Sequence, residues 1–257
     1  LLNLINWRTD FEKNQDNLGS LYHHNSFTSK LSPQLYKARF KAFKNFFLKL
    51  GGNLQISGHC YSAPAVPLLS REGGITAGEQ VLLNFYHLVQ SGKKGEYSDF
   101  TPFVEELNVR PVQLDDMDIY FIPVGTNGGL EQVYYFNQEH AVLEQIKTIR
   151  DTDISLMFPP QILSCLESED SKQLKGIYVC VANLYRIQML FGERGYRNAL
   201  LRAGGIAEQL HMEVSKITGQ REARITSDFY DKEVNKLLDL DGYSEVSLVC
   251  VAIHEVI

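Results

Sequence analysis

Phe191-Gly192-Glu193-Arg194-Gly195-Tyr196-Arg197-Asn198-Ala199-Leu200-Leu201-Arg202-Ala203-Gly204-Gly205 is the stretch that organises the chain. A polar front punctuated by glycines opens onto apolar residues at helical spacing, which predicts an amphipathic helix from about Tyr196 to Thr218. Just upstream, Gly176-Ile177-Tyr178-Val179-Cys180-Val181-Ala182 is a continuous apolar run, the pattern of a strand buried on both faces. Downstream, Arg221 to Thr226 reads as extended. A helix is expected from Asp228 to Leu238, with Asp228 or Ser227 as its cap. Asp239-Leu240-Asp241-Gly242 then leads into a last strand, Val246 to Ile253.

Ahead of this half lie two further strands, Asp118 to Val124 and Glu131 to Phe136. Gly125-Thr126-Asn127-Gly128-Gly129 joins them as a turn-forming loop. The second strand is expected to continue through Asn137 to Leu143, with His140 as a turn residue rather than a base. A short helix is expected near Pro160 to Leu166. Thr76 caps a helix running to about Gln90, with Glu79 three residues on for a capping box and Leu82, Leu83, Tyr86 and Val89 as its apolar face. Gly51 to Gly74 is loop-like. Ser32-Pro33 opens a helix to Leu50, with Phe40, Phe43, Phe46 and Phe47 among lysines, read as docked by its aromatic face with the lysines solvated. His23-His24 lacks a third ligand at suitable spacing, so a surface or capping role is expected and no metal site.

Composition narrows the function classes. With 257 residues, 44% apolar and 22% charged, the chain has the make-up of an ordinary globular protein able to bury a sizeable core. Lys+Arg 25 against Asp+Glu 31 gives a net charge of −6, which argues against a nucleic-acid partner. Cys60, Cys165, Cys180 and Cys250 show neither zinc spacing nor a disulfide framework. A reducing, cytoplasmic location is expected, with Cys180 and Cys250 as small buried hydrophobes. No secretory signal pattern or membrane-length apolar run is present. The start at Leu1-Leu2 without Met is read as a trimmed N-terminus or as residues not observed.

The run from Phe191 resembles the "YGERGYRxALLEAGH" element of SagB/McbC-type peptide dehydrogenases, FMN enzymes of the nitroreductase superfamily that act on ribosomally made peptides. The likeness extends from about Gly128 to the C-terminus. It takes in the Glu131 to Leu143 hairpin, similar to "GLYHYDPEEHALE", and the "LDLDG" element. Earlier, Gly74 to Glu79 is similar to "PITLEEL", and Tyr22 to Ser26 faintly echoes "HENSK". The resemblance implies an α+β fold, a central antiparallel or mixed sheet flanked by helices. It divides the chain into residues 1–52, an arm with an amphipathic helix, and a nitroreductase-like domain over 53–257. It implies a homodimer, or a heterodimer with an intact homologue, working on a peptide substrate or leader peptide. FMN contacts fall to Arg71, Arg194, Arg197 and Ser227, and proton handling to Tyr196.

Four departures accompany the likeness. The family grips the flavin phosphate with an Arg-rich "RRSxR" run, whereas Pro64 to Glu72 holds one basic residue, Arg71. The "PSAGALYP" loop that wraps the flavin corresponds to Arg110 to Asp118. There Asp115, Asp116 and Asp118 would repel a phosphate or a reduced ring. The Lys-Tyr pair of azoline-oxidising members falls on Leu190 and Phe191, neither able to move a proton. Family glycines before the penultimate helix are Thr226-Ser227. Together these imply an eroded flavin site in a chain acting as partner or scaffold. An FMN oxidoreductase with an altered anchor is the alternative.

Overall fold

A computed structural model describes residues 64–69, 76–91, 117–125, 130–138, 140–167, 172–191, 194–217 and 221–256. The proposed arm over 1–52, the paired histidines, the basic helix, Arg71 and the loop over 110–116 lie outside the described residues. The elements run β1 (Ala65–Pro67), α1 (Ala77–Ser91), β2 (Met117–Pro123), β3 (Leu130–Asn137), β4 (Val142–Arg150), α2 (Asp151–Ser155) and α3 (Pro160–Glu167). They continue with β5 (Lys172–Asn183), α4 (Leu184–Phe191), α5 (Arg194–Ile217), β6 (Arg221–Thr226), α6 (Asp231–Leu238) and β7 (Glu245–Val256).

The strands form one seven-stranded sheet in the order β1-β4-β3-β2-β5-β7-β6. Every pairing among the described residues is antiparallel, the first of the two expected arrangements. The α+β expectation holds. At the centre, β5 lies between β2 and β7, and Ile177 to Ala182 are all fully buried. Strand alternation splits this run between two cores. Tyr178, Cys180 and Ala182 join Ile119, Phe121 and Val251 beneath α1, α4 and α5. Ile177, Val179 and Val181 join Tyr120, Ile122 and Ala252 against α2, α3 and α6. Each large apolar side chain buried in this way is worth about 1.5–3 kcal/mol, which is why the two-sided run is central.

Local signals explain the helices. The Thr76 N–H donates to Glu79 Oε2 at 2.7 Å, and the Glu79 N–H donates to Thr76 Oγ1 at 3.3 Å. This reciprocal box starts α1 where the sequence indicated. The helix then lies directly on β2 and β5. Tyr178 donates its hydroxyl to the Gly78 carbonyl at 2.7 Å, and the Phe121 ring stacks on Tyr178 at 5.1 Å. Phe121 fits only because both its neighbours are glycines. A Cβ on Gly78 would lie 2.3 Å from its ring, and one on Gly176 would lie 2.8 Å away.

Three expectations need correction. β3 does not run on to Leu143. It ends at Asn137, the chain turns with Ala141 at φ 52°, and β4 returns antiparallel beside it. His140 is exposed in that turn, as expected. The penultimate helix starts at Asp231, with Tyr230 in the cap position, rather than at Asp228. Buried Phe229 and the bond from the Tyr230 N–H to the Met157 carbonyl (2.8 Å) hold the preceding residues extended. Thr226 Oγ1 instead accepts from the Asp228 N–H, 3.0 Å away. Asp118 is part of β2 rather than of a ligand loop. It is buried on the α3/α6 side, and Tyr135 donates a hydroxyl to it at 3.1 Å.

Candidate functional site

The quoted stretch forms the junction of two helices. α4 ends at Phe191 and α5 begins at Arg194. Gly195 is buried there. A Cβ at this position would sit 2.9 Å from the Ile187 carbonyl oxygen and 3.2 Å from the Gln188 nitrogen. The backbones of α4 and α5 therefore touch, and only glycine permits that approach. This gives the Arg194-Gly195-Tyr196 spacing a structural cause that is independent of any ligand.

Around that contact, Arg194, Tyr196 and Arg197 occupy the first turn of α5 and are half-buried. No acidic residue lies in that turn. The N–H groups of a helix start carry partial positive charge, and two guanidinium groups add to it. Such a turn favours an anion. Ser227 is exposed immediately after β6.

β5 finishes at Asn183 opposite Glu245, the first residue of β7, and Met117 at the start of β2 lies opposite Ala182. β6 runs from Glu255 toward Cys250 along β7, so Ser227 faces the same end. α5 starts at that end, beyond α4, and packs back across β5, β6 and β7. The entry to β2 and the exit of β5 lie together at that end, β6 leaves β7 at Cys250 partway along it, and Arg71 lies outside the described residues. For FMN the two guanidinium groups in the first turn of α5 are a partial fit. The last two positions of α4 next to it are Leu190 and Phe191, residue types with no exchangeable proton.

Other candidates have structural explanations. Burial pushes the Cys180 thiol up to about 12 and raises that of Cys250 as well, so both remain thiols among apolar neighbours. The "LDLDG" element is a helix exit. Asp239 adopts the left-handed conformation at the end of α6, and its carboxylate meets Lys147 of β4 at 2.7 Å. Lys147 also donates to the Lys236 carbonyl. Asp241 accepts from the N–H groups of Tyr243, Ser244 and Glu245. These bonds, with the Ser244 hydroxyl foremost, lower its carboxyl to about 2. Among the described residues no group of three or more His, Cys, Asp or Glu could hold a metal ion. None of the described helices is long and apolar enough to cross a membrane.

Sequence reasoning missed one surface. The outward face of α5 carries Leu200, Leu201 (71% exposed), Gly204, Gly205 and Met212. A Cβ at either glycine would meet nothing within 4 Å. The signal was present in the helical spacing of Leu201, Gly204, Gly205, Glu208 and Met212, a stripe with one charge in it.

No protein-family model matches the chain, and no curated protein matches it. Similar solved structures exist at low identity. An Anabaena variabilis protein assigned as a nitroreductase superposes with a TM-score of 0.53 at 14% identity over 76% of this chain. The chain spans 39% of that protein's length. The Escherichia coli microcin synthetase McbBCD complex with truncated pro-MccB17 bound gives 0.47 at 15% identity, covering 88% of this chain and 97% of the other. A Ralstonia eutropha protein also assigned as a nitroreductase gives 0.44 at 13%, covering 77% and 87%. With its antiparallel sheet between two helical layers and the long α5 packed across it, the chain has a nitroreductase-like fold.

Proposed function

We propose that this chain is a SagB/McbC-like subunit in the maturation of a ribosomally made peptide, with an eroded flavin site, acting as partner or scaffold of a peptide dehydrogenase. The observation that carries the reading is the junction of α4 and α5. The packing glycine, Gly195, is retained, while the adjoining positions 190 and 191 are Leu and Phe. A helix crossing kept while positions 190 and 191 carry no exchangeable proton is compatible with a structural relative of an enzyme. The exposed apolar stripe on α5 supports pairing. Leu200, Leu201 and Met212 flank a glycine pair at which a second backbone can approach closely, and such faces mark interaction sites. The partner is a second copy or a homologue that keeps its own flavin motifs. A cytoplasmic location, a peptide or leader peptide as ligand, and a domain over 53–257 preceded by an arm belong to the same proposal.

A second reading has its own support in the half-buried Arg194, Tyr196 and Arg197 of a first turn without acids. In it the chain is an FMN oxidoreductase oxidising or reducing a peptide. Bound FMN supplies a hydride acceptor or donor at its N5. Arg194 and Arg197, with Arg71 and Ser227, hold the anionic groups, and the Tyr196 hydroxyl holds the proton exchanged with substrate.

The visible spectrum of the purified chain separates the two, taken before and after FMN addition and desalting. A colourless protein that stays colourless is expected. Yellow flavin retained near one per chain would sink the eroded-site reading and make Arg194 and Arg197 the residues to substitute.

A further inference from the structure

We draw no further inference here: the strongest candidate, the surface patch of Leu201, Gly204, Gly205 and Met212 on α5 continued by exposed Ile225 on the edge strand β6, belongs to the pairing face already proposed, and nothing in the structure shows what else covers it.

Discussion

Gly195→Ala is the substitution that tests the reading of the α4–α5 junction. The added methyl would lie 2.9 Å from the Ile187 carbonyl oxygen, and ordinary contact begins at 3.4 Å. The first turn of α5 must therefore move about 0.5 Å off α4, and its neighbours are backbone atoms that cannot rotate aside. Forcing one extra carbon into a packed interior costs about 1–3 kcal/mol. Replacing glycine by alanine in a helix returns about 0.5–1 kcal/mol. The two ranges leave a net loss of up to about 2.5 kcal/mol, read as a lower urea midpoint in far-ultraviolet circular dichroism at fixed protein concentration. Gly204→Ala is the control in the same helix. Its Cβ meets nothing of its own chain within 4 Å, so in the unpaired chain only the favourable part remains and the midpoint should rise by the equivalent of about 0.5–1 kcal/mol. Opposite signs for one substitution at two sites of one helix is the demanding outcome. A Gly195→Ala protein stabilised as much as Gly204→Ala would refute the close-approach argument.

Three more expectations come from the same geometry. Gly78→Ala should destabilise by about 1–3 kcal/mol, because its Cβ would fall 2.3 Å from a Phe121 ring backed by Gly176; recovery in the Gly78→Ala/Phe121→Leu double variant, measured by urea unfolding, would assign the loss to that contact. Lys147→Met keeps the stem but removes the ammonium that joins Asp239 to the end of α6. The half-exposed pair should contribute about 0.2–1 kcal/mol, and the difference from the parent should shrink in high salt. Asp241 has its carboxyl lowered from 3.8 to about 2 on folding, so its contribution is fully present above pH 4 to 5 and lost as pH falls through about 2. The stability gap between the parent and Asp241→Ala should accordingly be constant near neutrality and close below pH 4. A gap unchanged at pH 2.5 would contradict that assignment.

The sequence by itself determined those elements whose signals are local. The Thr76/Glu79 box fixed the start of α1. The unbroken apolar run at 176–182 identified the central strand, because only a strand covered on both faces can bury every residue. The α5 period and the hairpin of β2 and β3 were legible for the same reason. The resemblance around Gly195 pointed to the nitroreductase-like fold before any topology was known.

Other features became visible only in three dimensions. β4 alternates poorly, since Glu144 is buried as well as Leu143, so its strand character comes from pairing with β3 and β1. α4 is a single short helix that packs against α5. Asp118 begins a stretch legible as a strand, but only the register of β2 shows its side chain turned inward to Tyr135. Likewise, Gly195 and Gly204 look alike in the sequence. What separates them is the backbone of α4, which lies against the first and leaves the second open, and a distance between helices is a tertiary quantity that no local pattern encodes.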